Sequence, residues 1–211
     1  MAAGDVEVGV VNPIAINSAK FNGGTNYIDI SANGLRFNTS TFCAKCYFEN
    51  VSVNNLFGNS VSFRNYFRLT DASKFRVEDT DNNFKEILIS PNIEAKKEYL
   101  IILVQDETNL SIYLDGVLLG TTTKLPNDII FNYIGRGDSG GANVDNFHGL
   151  MREVRFYDRP LNENELSEYA DNNITRKNLI GEWLLKENYD DSSGYNNDAT
   201  NSGTILGIHE T

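Results

Sequence analysis

From Leu150 to Tyr157, the residues Leu150, Arg152, Val154 and Phe156 occupy one parity and Met151, Glu153, Arg155 and Tyr157 the other. This is the pattern of a pleated strand with at least one buried face. Pro160 stops it. Asn162 then stands where a helix cap belongs, with Glu165 in capping-box spacing after it, and Leu161, Leu166, Tyr169 and Ala170 give a short helix over 162–171 one apolar side. The helix is expected to dock on the edge of the sheet.

Short strand-like runs with polar turns between them precede this unit: Ala19 to Phe21, Tyr27 to Ile30, Phe42 to Val53, Tyr66 to Leu69, Phe75 to Glu78, Ile87 to Ile89 and Tyr99 to Val104. Their spacing predicts a β-sandwich. The clearest local signal lies at Leu110 to Leu119, where Asp115-Gly116 makes a two-residue hairpin between apolar runs. Ile129 to Ile134 reads as a further strand, and Ile180 to Lys186 as a late one around Trp183, the only tryptophan, which is assigned to the core. No linker splits the 211 residues, a length that suits one all-β domain.

Cys43 and Cys46 are the only cysteines. Their C-x-x-C spacing invites a redox or zinc reading, but Phe42, Ala44, Cys46 and Phe48 share one parity, so the two thiols point to opposite faces of one strand and cannot bridge. A zinc site needs more ligands than these and the two distant histidines, His148 and His209, supply. Free, buried thiols are expected.

Composition narrows the partners. The 18 basic against 29 acidic residues leave a net charge of −11, which repels phosphate backbones and anionic bilayers, so neither nucleic acid nor membrane is an expected partner. No apolar run has the length of a membrane span, and the first residues lack the basic start and apolar stretch of a secretory signal, so synthesis in a cytoplasm is expected.

Four segments, in order, resemble the laminin G-like domains of the concanavalin A-like lectin/glucanase superfamily. Residues 19–30 look like that family's opening strand pair, 112–117 like its central hairpin, and 147–166 like its closing strand and helix; 179–185 followed by 191–198 is similar to its tryptophan strand and Asp-Ser-Gly loop. The resemblance implies an all-β, two-sheet antiparallel jelly-roll with one short helix. In most such domains the tryptophan strand opens the fold, whereas here it comes last. The order is either permuted, with residues 18–211 forming one domain behind an arm at 1–17, or Leu179 to Thr211 begins a truncated repeat.

Several motifs are false friends. Gly137 to Gly141 spells the serine motif of chymotrypsin-like proteases, yet no histidine precedes His148 to act as base. Arg136-Gly137-Asp138 spells the integrin tripeptide but reads as turn chemistry at a strand end. The glucanase branch carries alternating acids on one strand, because a retaining mechanism needs two carboxylates about 5–5.5 Å apart. Here Asp29 and Asp115 stand alone, so no enzyme is expected.

In the loop 135–148, Asp138, Asn143 and Asp145 are hard oxygen ligands of the kind calcium takes, and Asp71, Asp79 and Asp81 are further acids in loops. The resemblance implies such a calcium site beside a glycan site, for which Asp138, Asn143, Asn146, Phe147 and Tyr195 are nominated, with Tyr27, Tyr66, Tyr113 and Tyr133 as other candidate rings. With no export signal, the lectin-like fold is expected on a phage virion, as a capsid decoration, head fibre or tail fibre that meets surface glycans after lysis. Val6, Val8 and Val10 alternate in the arm as an attachment strand for a capsid or tail protein or for other copies, so a homo-oligomer is expected. The alternative is an extracellular carbohydrate-binding domain of a secreted enzyme or adhesin.

Overall fold

The computed structural model describes residues 15–59, 65–137 and 146–211. The chain forms β1 (Ala15–Asn22), β2 (Tyr27–Asp29), β3 (Arg36–Phe37), β4 (Ser40–Phe48), β5 (Asn54–Gly58), β6 (Tyr66–Asp71), β7 (Lys74–Glu78) and β8 (Phe84–Leu88). It continues with β9 (Glu98–Gln105), β10 (Asn109–Leu114), β11 (Val117–Thr123), β12 (Ile129–Ile130), β13 (Tyr133–Ile134) and β14 (His148–Tyr157). Helix α1 (Glu163–Ala170), β15 (Leu179–Trp183), β16 (Thr200–Ser202) and β17 (Ile205–Glu210) complete it. The first sheet has the order β11-β10-β9-β4-β14-β1-β17, with β15 attached to β14; the second runs β16-β2-β13-β5-β6-β7-β8, and β3 pairs β12 apart from both. The result is the expected antiparallel sandwich with one helix.

Aromatic rings fill the space between the sheets. Phe42 from the first sheet meets Phe57 and Phe67 from the second, Phe156 meets Phe37 and Phe131, and Trp183 is fully buried with its indole N–H donating to the Asn197 carbonyl at 2.9 Å. Truncating one such ring to alanine costs about 3–5 kcal/mol in a typical core.

Local signals produced local structure. Asp115 and Gly116 both take left-handed backbone (φ 50° and 83°), the pair a two-residue hairpin of this twist requires. The capping box is present: Asn162 Oδ1 accepts from the Glu165 N–H and Glu165 Oε2 accepts from the Asn162 N–H, each at 3.1 Å. Arg159 grips the same Glu165 carboxylate through two 2.7 Å hydrogen bonds, which hold its pKa below the ordinary glutamate value.

Other expectations need correction. The alternation through β14 breaks at Glu153, a bulge with φ 54°, so Met151 points into the main core before it and Val154 and Phe156 after it. Lys45, from β4, binds the Glu153 carboxylate at 2.9 Å and fixes the bulge from outside the strand, while the adjacent Arg152 binds it at 2.8 Å. The run Phe42 to Val53 ends at Phe48, because the Asn50 side chain accepts from the Ser52 N–H and forms a turn before β5. Ile129 to Ile134 divides as the chain passes from β3 to the second sheet. Helix α1 lies over the face of the first sheet and not at its edge: Leu166 and Tyr169 pack with Cys43, Leu100, Ile102 and Tyr157, from β4, β9 and β14.

The tail is woven into both sheets. β15 lies beside β14 along Val154–Tyr157, continuing the edge that β1 occupies along His148–Met151; β16 pairs β2 and β17 pairs β1. Residues 179–211 therefore pair into both sheets of the sandwich. β1 itself begins at Ala15, so Ala15 to Asn17 of the expected arm belong to the sheet; residues 1–14 lie outside the described residues.

Cys43 sits under α1 while Cys46 sits in the main core, on opposite faces of β4 and both free. Burial pushes the Cys43 thiol up to about 12 and Cys46 well above its ordinary value. Without reductant, two thiols per chain should react with a thiol reagent in denaturant and none in the native protein; absence of reaction in denaturant would contradict the strand geometry.

Candidate functional site

The outward positions of the second sheet collect the polar and aromatic residues that its inward positions exclude. In β6, Phe67 and Leu69 enter the core while Tyr66, Arg68 and Thr70 take the other parity; in β7, Phe75 and Val77 enter and Lys74, Arg76 and Glu78 do not. Register lines these positions up across the sheet. Asp29 faces Tyr133, Tyr133 faces Gly58, Gly58 faces Tyr66, Tyr66 faces Glu78, and Glu78 faces Phe84. At about 4.8 Å per strand the row crosses the sheet, with Gly58, Tyr66 and Glu78 buried in its middle and Tyr27, Tyr133 and Phe84 reaching the surface at its ends.

At one end, Tyr27 and Tyr133 meet edge to face with centroids 5.1 Å apart, and the Arg136 guanidinium lies over both rings at 4.6 and 5.3 Å. At the other, Arg68 lies 4.4 Å from the Tyr66 ring centroid and Arg76 lies 3.8 Å from that of Phe84, itself half exposed. The Tyr66 hydroxyl donates to Glu78 at 2.8 Å, and Arg76 reaches the same carboxylate oxygen at 3.0 Å. Burial raises the Tyr66 phenol to about 12, with Glu78 acting in the same direction. Between the ends the backbone of Arg136 and Gly137 crosses the sheet, close enough that a Cβ on Gly58 would stand 3.0 Å from the Arg136 carbonyl. Glycine is needed there for the crossing.

Of the nominated residues, Asp138, Asn143 and Asp145 lie outside the described residues. Phe147 is not a binding platform: it is fully buried against Phe21 and Phe48 at 5.5 and 5.4 Å. Asn146 is buried too, its amide donating to the Gly24 carbonyl. Tyr195 is exposed, in a loop built around Asp191, whose carboxylate accepts from the N–H groups of Glu182, Ser193 and Asn197. Tyr113 packs beside α1. The structure thus brings together Tyr27, Tyr66 and Tyr133 and separates them from Phe147. Arg68, Arg76 and Arg136 were not nominated, although the alternation of β6 and β7 placed two of them opposite the core residues.

Among the described residues, no group of three or more His, Cys, Asp or Glu side chains is placed to hold a metal ion. Asp79 is fully buried and its two oxygens accept from the N–H groups of Asp81, Asn83 and Asn127, so it organises the loops around it. No helix among them is long and apolar enough to cross a membrane.

A family model described as Concanavalin A-like lectin/glucanases superfamily, of the laminin G type, matches residues 22–167. The chain belongs to this superfamily. Among solved structures of similar fold, a proposed carbohydrate binding protein from Bacteroides ovatus has a TM-score of 0.69 at 18% identity, over 95% of this chain and 60% of that one. The chain thus spans three fifths of that protein's length. A heptameric SAP-like pentraxin from Limulus polyphemus gives 0.60 at 16% identity, over 93% and 95% of the two chains. Domain 4 of AbnA, an extracellular arabinanase from Geobacillus stearothermophilus solved with arabinotriose, gives 0.58 at 16%, over 72% and 76%. At these identities the likeness is one of fold. No curated protein is similar to the chain in sequence.

Proposed function

We propose that the protein is a non-catalytic glycan-recognition module, carried as a structural component of a phage virion, with the outer face of its second sheet as the binding surface. The observation that carries the reading is the ring pair Tyr27 and Tyr133 at one end of that face, with the Arg136 guanidinium laid over both. Apolar sugar faces stack on rings while hydroxyls exchange hydrogen bonds with polar neighbours, and such a surface needs both at once. The superfamily membership supports it, as do the carbohydrate-related roles of the Bacteroides protein and the arabinanase domain. A binding role is favoured over hydrolysis because Glu78, fully buried, is already engaged by Tyr66 and Arg76.

Binding is tested on a glycan array. Tyr27→Ala should lower retention of the bound saccharides by roughly tenfold or more, the scale of one lost stacking contact and its neighbours, without changing the melting temperature by more than a few degrees. An unchanged array profile would count against this face.

The virion setting draws support from β17, which among the described residues pairs on one side only and exposes Ile205 and Ile208 at 63% and 71%. Such an edge suits a strand from a neighbouring subunit. Deleting residues 2–13 leaves β1 whole and should abolish attachment to particles while the sandwich stays folded. Particles that still incorporate the shortened protein would favour the second reading, a carbohydrate-binding domain of a secreted enzyme or adhesin, to which the likeness to a domain of an arabinanase points.

A further inference from the structure

Helix α1 covers only half of the first sheet's outer face. On the other half, Ile16, Tyr47 and Leu150 from β1, β4 and β14 form a small apolar cluster of their own. Beside it lies a cavity of about 490 Å³, within the size range of small-molecule sites. Ile16 and Tyr47, both buried, close its floor. Lys96, Lys97, Arg152 and Lys186 stand around it, and among the described residues Glu98 is its one acidic side chain.

The charges there do not cancel. Arg152 takes both Glu98 oxygens, at 2.7 and 2.9 Å, and gives its remaining terminal nitrogen to Glu153 at 2.8 Å. Lys97 pairs with Glu94 at 3.0 Å. Lys96 and Lys186 form no ion pair with any described residue, although the chain carries a net charge of −11. The neighbouring cavities on this face are balanced: one of about 380 Å³ sets Lys20 and the two histidines against Glu49 and Glu210, and one of about 160 Å³ sets Lys45 against Glu98 and Asp115.

Both leftover lysines have a fixed backbone position. Lys96 takes left-handed backbone (φ 61°), which favours glycine or asparagine, and its N–H donates to the Phe48 carbonyl at 2.7 Å, pinning the turn to the end of β4. Lys186 follows Leu185, itself left-handed (φ 57°), whose side chain is fully buried in the core and leaves the lysine half-buried at the cavity.

We infer that this cavity binds the phosphate group of a small phosphate monoester between Lys96 and Lys186, as a second site independent of the glycan reading. Two ammonium charges match the nearly double charge of a phosphate monoester at neutral pH, where a carboxylate brings one. Lysine serves as a compact point charge and needs no two-pronged geometry. The volume leaves room for the organic part of the ligand.

The test titrates the full labelled chain with glycerol phosphate, sulfate, acetate and glycerol and follows amide shifts. Glycerol phosphate should saturate, with shifts concentrated at Lys96, Lys97, Arg152 and Lys186. Lys96→Gln and Lys186→Gln should each weaken it at least about tenfold, the scale of a lost hydrogen bond to a charged group, and Lys20→Gln should change nothing. Acetate should bind about tenfold more weakly or worse, and glycerol should leave the shifts unchanged. Lowering the pH from about 7.5 to about 5 protonates the phosphate, whose second pKa is about 6, and should weaken glycerol phosphate several-fold while sulfate, a dianion throughout, is not weakened. Acetate bound as tightly as glycerol phosphate, or sulfate lost over the same pH range, would overturn the phosphate assignment. Shifts only outside the cavity, or none with any of the four, would remove the site and leave the glycan reading untouched.

Discussion

Phe131 touches rings from every part of the sandwich. Its centroid lies 4.7 Å from Phe57 in the second sheet, 5.6 and 5.1 Å from Phe42 and Phe156 in the first, and 6.1 Å from Trp183 in the late strand. The chain breaks its strand geometry between β12 and β13 to place that ring, and the residues that follow inherit their sides from it: Ile134 enters the core and Tyr133 faces out. The outward face of the second sheet is thus a by-product of core packing. The same contact ties in the tail, because Trp183 has its partner only once residues 179–211 have folded back along β14.

What the sequence made legible was local. The Asp115-Gly116 turn, the Asn162 and Glu165 cap and the opposite facing of Cys43 and Cys46 each depend on residues a few positions apart, and each is present. The parity of β14 was not legible, because the bulge at Glu153 is held by Lys45 from another strand and by the Leu184 carbonyl, which accepts the Glu153 N–H at 3.3 Å. β17 escaped notice for a related reason: Ile205 to Glu210 has glycine at its centre and exposed isoleucines, and it is a strand only because β1 pairs with it.

The candidate site divides the same way. Tyr27, Tyr66 and Tyr133 could be nominated as rings, but their assembly rests on the register joining β2, β13, β5 and β6, which no sequence spacing announces. Phe147 misled because an aromatic beside an Asn-rich loop reads as a platform, whereas here it plugs the space between Phe21 and Phe48. The arginines were hidden by the overall charge of −11, which describes the sum over the surface and not its distribution.

The central claim is that the outer face of the second sheet is where this superfamily member meets its ligand. Amide chemical shifts of the labelled protein, followed while a saccharide retained on the array is added, test it most directly. The account predicts shifts concentrated at Tyr27, Arg68, Arg76, Tyr133 and Arg136, with the Asp191 to Asn197 loop and helix α1 undisturbed. Shifts confined to that loop around Tyr195, or to the face covered by α1, would contradict it.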